Sequence, residues 1–280
     1  MKTKSRNQSR PGLAARHRSK YGYDHHWWGE SAPAIVVESE STYWSSTRRP
    51  LPCLVFILPI LVIYEVGVAW LGGVASETMR AGADTWMRHG LTSLGVTDRL
   101  FLPLALVMAL LGWAAIEARR WRFHPGILAG MLVESLVLGV ALIGLSKLVD
   151  IGFARLDAPT TPLSAGPRHP VAPLIGFLGA GLYEEALFRL SLIPAFYYGL
   201  RLLQMPVILA NVLAVTGSAL LFSMAHHAGS PGETFTWFAF VFRWLAGVFF
   251  AWVFVARGFG VAVGTHSAYD ILVGWLDLGF

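Results

Sequence analysis

From residue 51 onward the chain alternates long apolar runs with short polar connections. Runs at about 51–73, 100–118, 126–148, 171–203, 207–226, 236–256 and 260–278 come close to or exceed the roughly 20 residues a helix needs to cross the hydrocarbon layer. They predict an all-α, polytopic membrane bundle of about seven helices. The fourth run is too long for one straight span. Either Pro194 kinks it or its end lies along the interface. Before residue 51 the pattern changes. Residues 1–20 hold seven Lys or Arg and no acid, and residues 21–50 are polar and aromatic, with His25, His26, Trp27 and Trp28 together. No apolar core follows the basic residues, so this is not a signal peptide. It reads as a disordered, membrane-grazing tail rather than a metal site. The expected organisation is a basic tail over 1–50, N-terminal membrane helices over 51–150, and a four-helix functional core over 151–280.

Composition agrees with this pattern. Hydrophobic residues make up 55% of the chain and charged residues 14%, against about 25% charged in soluble domains. The 11 Trp and 8 Tyr suit the membrane–water interface. The net charge of +5 does not signal nucleic-acid binding, because the basic residues cluster beside apolar segments. The basic tail, Arg119, Arg120 and Arg122, Arg201, and Arg257 fall on one side in a seven-helix count. The expected topology is therefore a cytoplasmic N-terminus and an outward C-terminus, in a plasma membrane of the bacterial inner-membrane kind. Cys53, the single cysteine, lies in an apolar run and reads as a small buried residue. No internal repeat is visible, which counts against a carrier built from inverted halves.

Charge inside these runs carries the chemistry. The fourth run contains Tyr183-Glu184-Glu185-Ala186-Leu187-Phe188-Arg189. Ionisable residues at membrane depth cost free energy and mark functional sites. Glu185 and Arg189, four apart, lie on one helix face and can pair. Glu184 is turned about 100° away and must find a partner on another helix or stay protonated. Phe222 and His226 are four apart in the fifth helix, as are His266 and Asp270 in the seventh. An Asp one turn from a His can fix its tautomer. Glu184, Glu185, His226, His266 and Asp270 could thus meet at one centre.

Two chemistries fit that set. One is a divalent metal, zinc for example, held by His226, His266 and Glu184 with an open position for water. The other needs no metal: a glutamate and a histidine activate water while a second histidine stabilises an oxyanion. Either hydrolyses an acyl bond. No serine or cysteine stands in a nucleophile setting.

The ordered motifs Glu184-Glu185-x-x-x-Arg189, Phe222-x-x-x-His226 and His266-x-x-x-Asp270, with Phe242-Arg243, Gly247 and Arg257-Gly258-Phe259-Gly260 between them, resemble the CPBP intramembrane proteases over about residues 170–275. That family includes the type II CAAX prenyl proteases and the bacteriocin-processing or immunity (Abi-like) proteins. The resemblance implies that Glu184 and His226 activate water, that Glu185 and Arg189 shape the site or hold substrate, and that His266 and the position of Asp270 form the oxyanion site. It implies a membrane-embedded or membrane-tethered peptide or protein tail as substrate. The family's last motif position is often Asn; an ionised Asp270 cannot donate to an oxyanion. Phe222 and Arg243 are expected to support the site, with Arg243 neutralising an acid. Beyond the bilayer and that substrate no partner is expected, and no nucleic acid.

The rival functions are a non-catalytic scaffold or immunity-like protein of the same fold and a proton-coupled carrier. Glu65 and Glu134, also in apolar runs, are expected to be structural, with a partner such as Arg243. His227, His89 and His169 read as bystanders. Simple helix counting sets His226, Glu184 and His266 at unequal depths, so a broken helix or an irregularity near His227–Gly232 is expected.

Overall fold

The computed structural model describes residues 41–73, 80–117, 125–155, 171–228 and 234–274, all within the unit Glu38–Phe280. The described residues are helical, with no strand among them. In chain order the helices are α1 (Ser41–Ser46), α2 (Pro50–Gly72), α3 (Gly82–Ser93), α4 (Phe101–Ile116), α5 (Gly126–Ala154), α6 (Ala172–Glu185), α7 (Ile193–Leu202), α8 (Val207–Ala225), α9 (Trp237–Arg257) and α10 (Phe259–Gly274). Among them α2, α5, α8 and α9 are long and apolar enough to cross a membrane, and α4 is apolar but shorter. The chain is thus a polytopic helical membrane protein. The predicted fourth span takes another form.

The fourth run is broken into α6, a π-helical turn over Ala186–Leu192, and α7. The predicted kink at Pro194 is thus a widened turn just before the proline, which sits in the first turn of α7, where its missing N–H costs little. A π turn disturbs the regular ladder of carbonyl acceptors, and bare carbonyls are expensive at membrane depth. Two hydroxyls answer this: Ser191 Oγ donates to the Ala186 carbonyl at 2.8 Å, and Ser218 Oγ of α8 donates to that of Phe188 at 2.6 Å.

Helix α10, the seventh run, is enclosed by its neighbours. Every residue from Phe259 to Tyr269 is buried, and the helix packs against α2, α5, α6 and α9. Small residues allow that approach. A Cβ on Gly181 of α6 would lie 2.8 Å from the Ser267 backbone nitrogen, so only glycine lets α6 and α10 meet there. The α9–α10 junction is Gly258, whose φ of +92° favours glycine. This resolves the depth mismatch. Because α10 is walled by protein, its depth follows its neighbours rather than the bilayer, and His266 can reach the level where α6 ends.

The predicted tail also ends earlier than residue 50. α1 is ordered, and Tyr43 Oη donates to Glu134 Oε2 of α5 at 2.6 Å. Trp44 lies under the Arg257 guanidinium, 3.7 Å from ring centre to Cζ. The readings made for residues 1–40, for Arg119, Arg120 and Arg122, for His169, and for Gly229–Gly232 fall outside the described residues.

Candidate functional site

Four elements converge. α6 ends on Glu184 and Glu185, the π turn carries Arg189, α8 is capped by His226, and the middle of α10 carries His266 and Asp270. The structure brings all of these predicted residues together.

An inner layer comes first. Arg189 and Glu185 are 1% and 0% exposed, and Arg189 Nη1 lies 3.1 Å from Glu185 Oε1. Arg189 Nη2 donates to the Gly247 carbonyl at 3.3 Å, and its Cζ stands 4.4 Å from the centre of Phe222 and 5.3 Å from that of Phe250. Glu185 Oε1 also accepts from His266 Nδ1 at 2.8 Å. The tautomer-fixing carboxylate for His266 is therefore Glu185. Asp270, proposed for that task from its four-residue spacing, instead lies 3.6 Å from Nε2 on the other side of the ring. Phe250 stacks flat on the His266 ring, with centres 4.4 Å apart and planes at 15°.

An outer layer lies over this one. Side-chain exposures of Glu184, His226 and Asp270 are 14%, 20% and 20%, against 5% for His266. These three side chains are the less enclosed ones of the site, although Glu184 Oε2 itself is buried. Glu184 Oε2 stands 3.8 Å from His226 Nε2 and 3.8 Å from His266 Nε2. It has no hydrogen-bond partner among the described residues. His226 Nδ1 is 2.8 Å from the Phe222 carbonyl oxygen; a carbonyl only accepts, so Nδ1 carries the proton and Nε2 the lone pair. The spacing of Phe222 and His226 thus has a backbone meaning as well as ring contact at 4.8 Å. Arg243 lies within electrostatic reach of Glu184, His226 and Asp270.

A divalent ion would draw on His226, His266 and Glu184, although among the described residues no group of three or more His, Cys, Asp or Glu side chains is arranged to hold one.

Glu65 and Glu134 have partners other than the one suggested. Glu65 accepts from Arg80 at 3.2 Å, Arg88 at 3.1 Å and the Tyr183 hydroxyl at 2.6 Å. Asp84, fully buried, accepts from Arg80, Arg88 and Tyr64. Glu134 pairs with Arg257 and Tyr43. His89 is exposed on α3, and His227 packs on Phe235 and Phe240. Sequence reasoning missed Phe250, the π turn and the α3 ion cluster. Arg80, Asp84 and Arg88 do carry a signal, an alternating four-residue charge spacing.

Fold and site together define a polytopic helical membrane protein with a buried carboxylate–imidazole–guanidinium centre. Residues 167–272, which span α6 to α10, match the family model described as "Type II CAAX prenyl endopeptidase Rce1-like". The match agrees with the resemblance to the CPBP intramembrane proteases and implies protease activity at family level. No curated protein and no solved structure matches the chain.

Proposed function

We propose that the protein is an intramembrane endopeptidase in which Glu184 and His226 deliver a water molecule to a peptide carbonyl. One observation carries the reading. The Glu184 Oε2 atom lacks a protein partner and stands 3.8 Å from two imidazole nitrogens. That is too far for direct hydrogen bonds and right for one water bridging them. Both nitrogens belong to side chains already fixed from behind, by the Phe222 carbonyl and by Glu185.

The chemistry follows from these atoms. The water gives one hydrogen bond to Glu184 and the other to the lone pair on His226 Nε2. Its oxygen bonds to the carbonyl carbon as its proton passes to Glu184, and the carbonyl oxygen becomes an oxyanion. His266, with Nδ1–H given to Glu185, donates from Nε2 to that oxyanion in its doubly protonated form. Collapse breaks the carbon–nitrogen bond as Glu184 returns the proton to the leaving amine. Asp270, facing His266 Nε2, holds the ring as a counter-charge rather than donating to the oxyanion. No step requires a metal. The family description suggests the substrate: a peptide or protein tail presented at the membrane, a prenylated CAAX tail among them.

Cleavage of a membrane-tethered fluorogenic peptide by the protein in liposomes tests this. Glu184→Gln keeps the shape and removes the base. A loss of about 10²–10⁴-fold is expected, the usual worth of a general acid–base. Wild-type activity in Glu184→Gln would sink the mechanism. An inert wild type whose biological role survives the same substitution would leave the scaffold reading.

A further inference from the structure

Apart from the proposed hydrolytic site, the fold holds a cleft that none of its reacting groups lines. It measures about 250 Å³ and lies where α2 begins and α4 and α9 end. Its floor is buried and apolar: Cys53 is 2% exposed, Leu110 1% and Phe259 3%. Its rim is open, with Trp113 at 44% and Val255 at 60% exposed. Arg48 stands at the same rim, exposed, and is the cleft's charged lining residue. No carboxylate lines the cleft among the described residues.

We propose that this cleft binds an anionic phospholipid, one acyl chain lying on Cys53, Leu110 and Phe259 and the phosphate meeting Arg48. Three observations select that occupant. The floor accepts only apolar atoms: the Cys53 thiol already donates to the Thr47 carbonyl at 3.1 Å. The rim residues Val255 and Trp113 are exposed on α9, which is long and apolar enough to cross a membrane, and on the shorter apolar α4, so the cleft offers its mouth to lipid. The indole and the guanidinium at one rim match the headgroup level, where Trp settles and where basic pockets between membrane helices bind anionic headgroups. A soluble anion would leave the apolar floor unused, and a zwitterionic lipid would leave Arg48 facing a headgroup with its own cation.

The cleft is a built feature. Gly258, with φ of +92°, lets the α9–α10 junction approach the Arg48 backbone; a Cβ there would lie 2.8 Å from Arg48 Cα. The Gly260 amide donates to Cys53 Sγ at 3.4 Å, which ties α10 to the floor. The proposal is independent of the protease reading, since no reacting group takes part.

The test is lipid retention by the intact chain. Wild type and Arg48→Ala are released from nanodiscs of equal phosphatidylglycerol and phosphatidylcholine, and retained lipid is counted by native mass spectrometry. Wild type is expected to keep one phosphatidylglycerol in preference to phosphatidylcholine. Arg48→Ala is expected to lose that preference by roughly tenfold, the worth of one charge-assisted contact. In parallel, phosphatidylglycerol with a photoreactive acyl chain is expected to label peptides of α4 and α9. Equal retention of both lipids by wild type, an unchanged preference in Arg48→Ala, or labelling that avoids α4 and α9 would each overturn the proposal. Arg48 is exposed and makes no part of the peptide site, so Arg48→Ala is expected to fold and to cleave peptide as wild type does.

Discussion

Replacing Arg189 by methionine removes a guanidinium that is 1% exposed and leaves Glu185, 0% exposed, with His266 but without its permanently charged partner. The magnitude follows from what remains. Breaking a buried pair by deleting one partner costs about 3–5 kcal/mol, because the other charge is left uncompensated. A value near 4 kcal/mol is close to a thousandfold in the folding equilibrium. Adding Glu185→Gln removes the stranded charge while keeping an amide oxygen for His266 Nδ1. The double variant should therefore recover part of the loss, with a coupling of about 1–3 kcal/mol, the range seen for residues in one network. Reversible unfolding of the four proteins in mixed micelles reads this cycle directly. The reasoning fails if Arg189→Met unfolds like wild type, or if Glu185→Gln deepens the loss instead of relieving it.

Other outcomes follow from the same geometry. Phe250→Leu removes the flat stack on His266 and should slow cleavage by about two- to tenfold, the worth of an aromatic pair, with turnover falling more than substrate affinity in steady-state kinetics. Gly181→Ala gains about 1 kcal/mol of helix propensity but places a Cβ 2.8 Å from Ser267 N; overpacking of about 1–3 kcal/mol should prevail, lowering both stability and activity. Thorough chelation should leave cleavage intact, checked beside metal content by mass spectrometry; activity lost on chelation and restored by zinc would overturn the metal-free route. Burial, then the neighbouring Glu134, pushes the Tyr43 hydroxyl up to about 12. Its neutral form is the one the folded protein favours, so the α1 contact is complete below pH 10 and lost as pH approaches 12. The absorbance difference between wild type and Tyr43→Phe should show that late midpoint; a midpoint near 10 would place Tyr43 in solvent.

Much of this molecule is legible along the chain. The runs at 51–73, 126–148, 207–226 and 236–256 become α2, α5, α8 and α9 with ends shifted by a few residues, because hydrocarbon forces backbone bonding inside each segment. The Glu185–Arg189 spacing is local and could be read as a pair. The partners of Glu134 could not: Arg257 lies 123 residues away, and no periodicity links them. Pro194 marked the break in the fourth run, yet its form as a π turn depends on Ser218, which reaches the Phe188 carbonyl from another helix.

By itself, then, the sequence determined a polytopic helical bundle, placed the ionisable residues of the candidate site on three of its segments, and set the four-residue spacings that put each pair on one face. The tertiary structure decided which carboxylate orients which imidazole. Asp270 is the neighbour of His266 in sequence, but Glu185 meets its Nδ1, because Gly181 lets α6 close on α10. It also decided that α10 is enclosed by protein and that Glu184 faces two histidines across a water's width. Helix periodicity acts within one segment, whereas these distances are fixed by how closely small residues let separate segments approach.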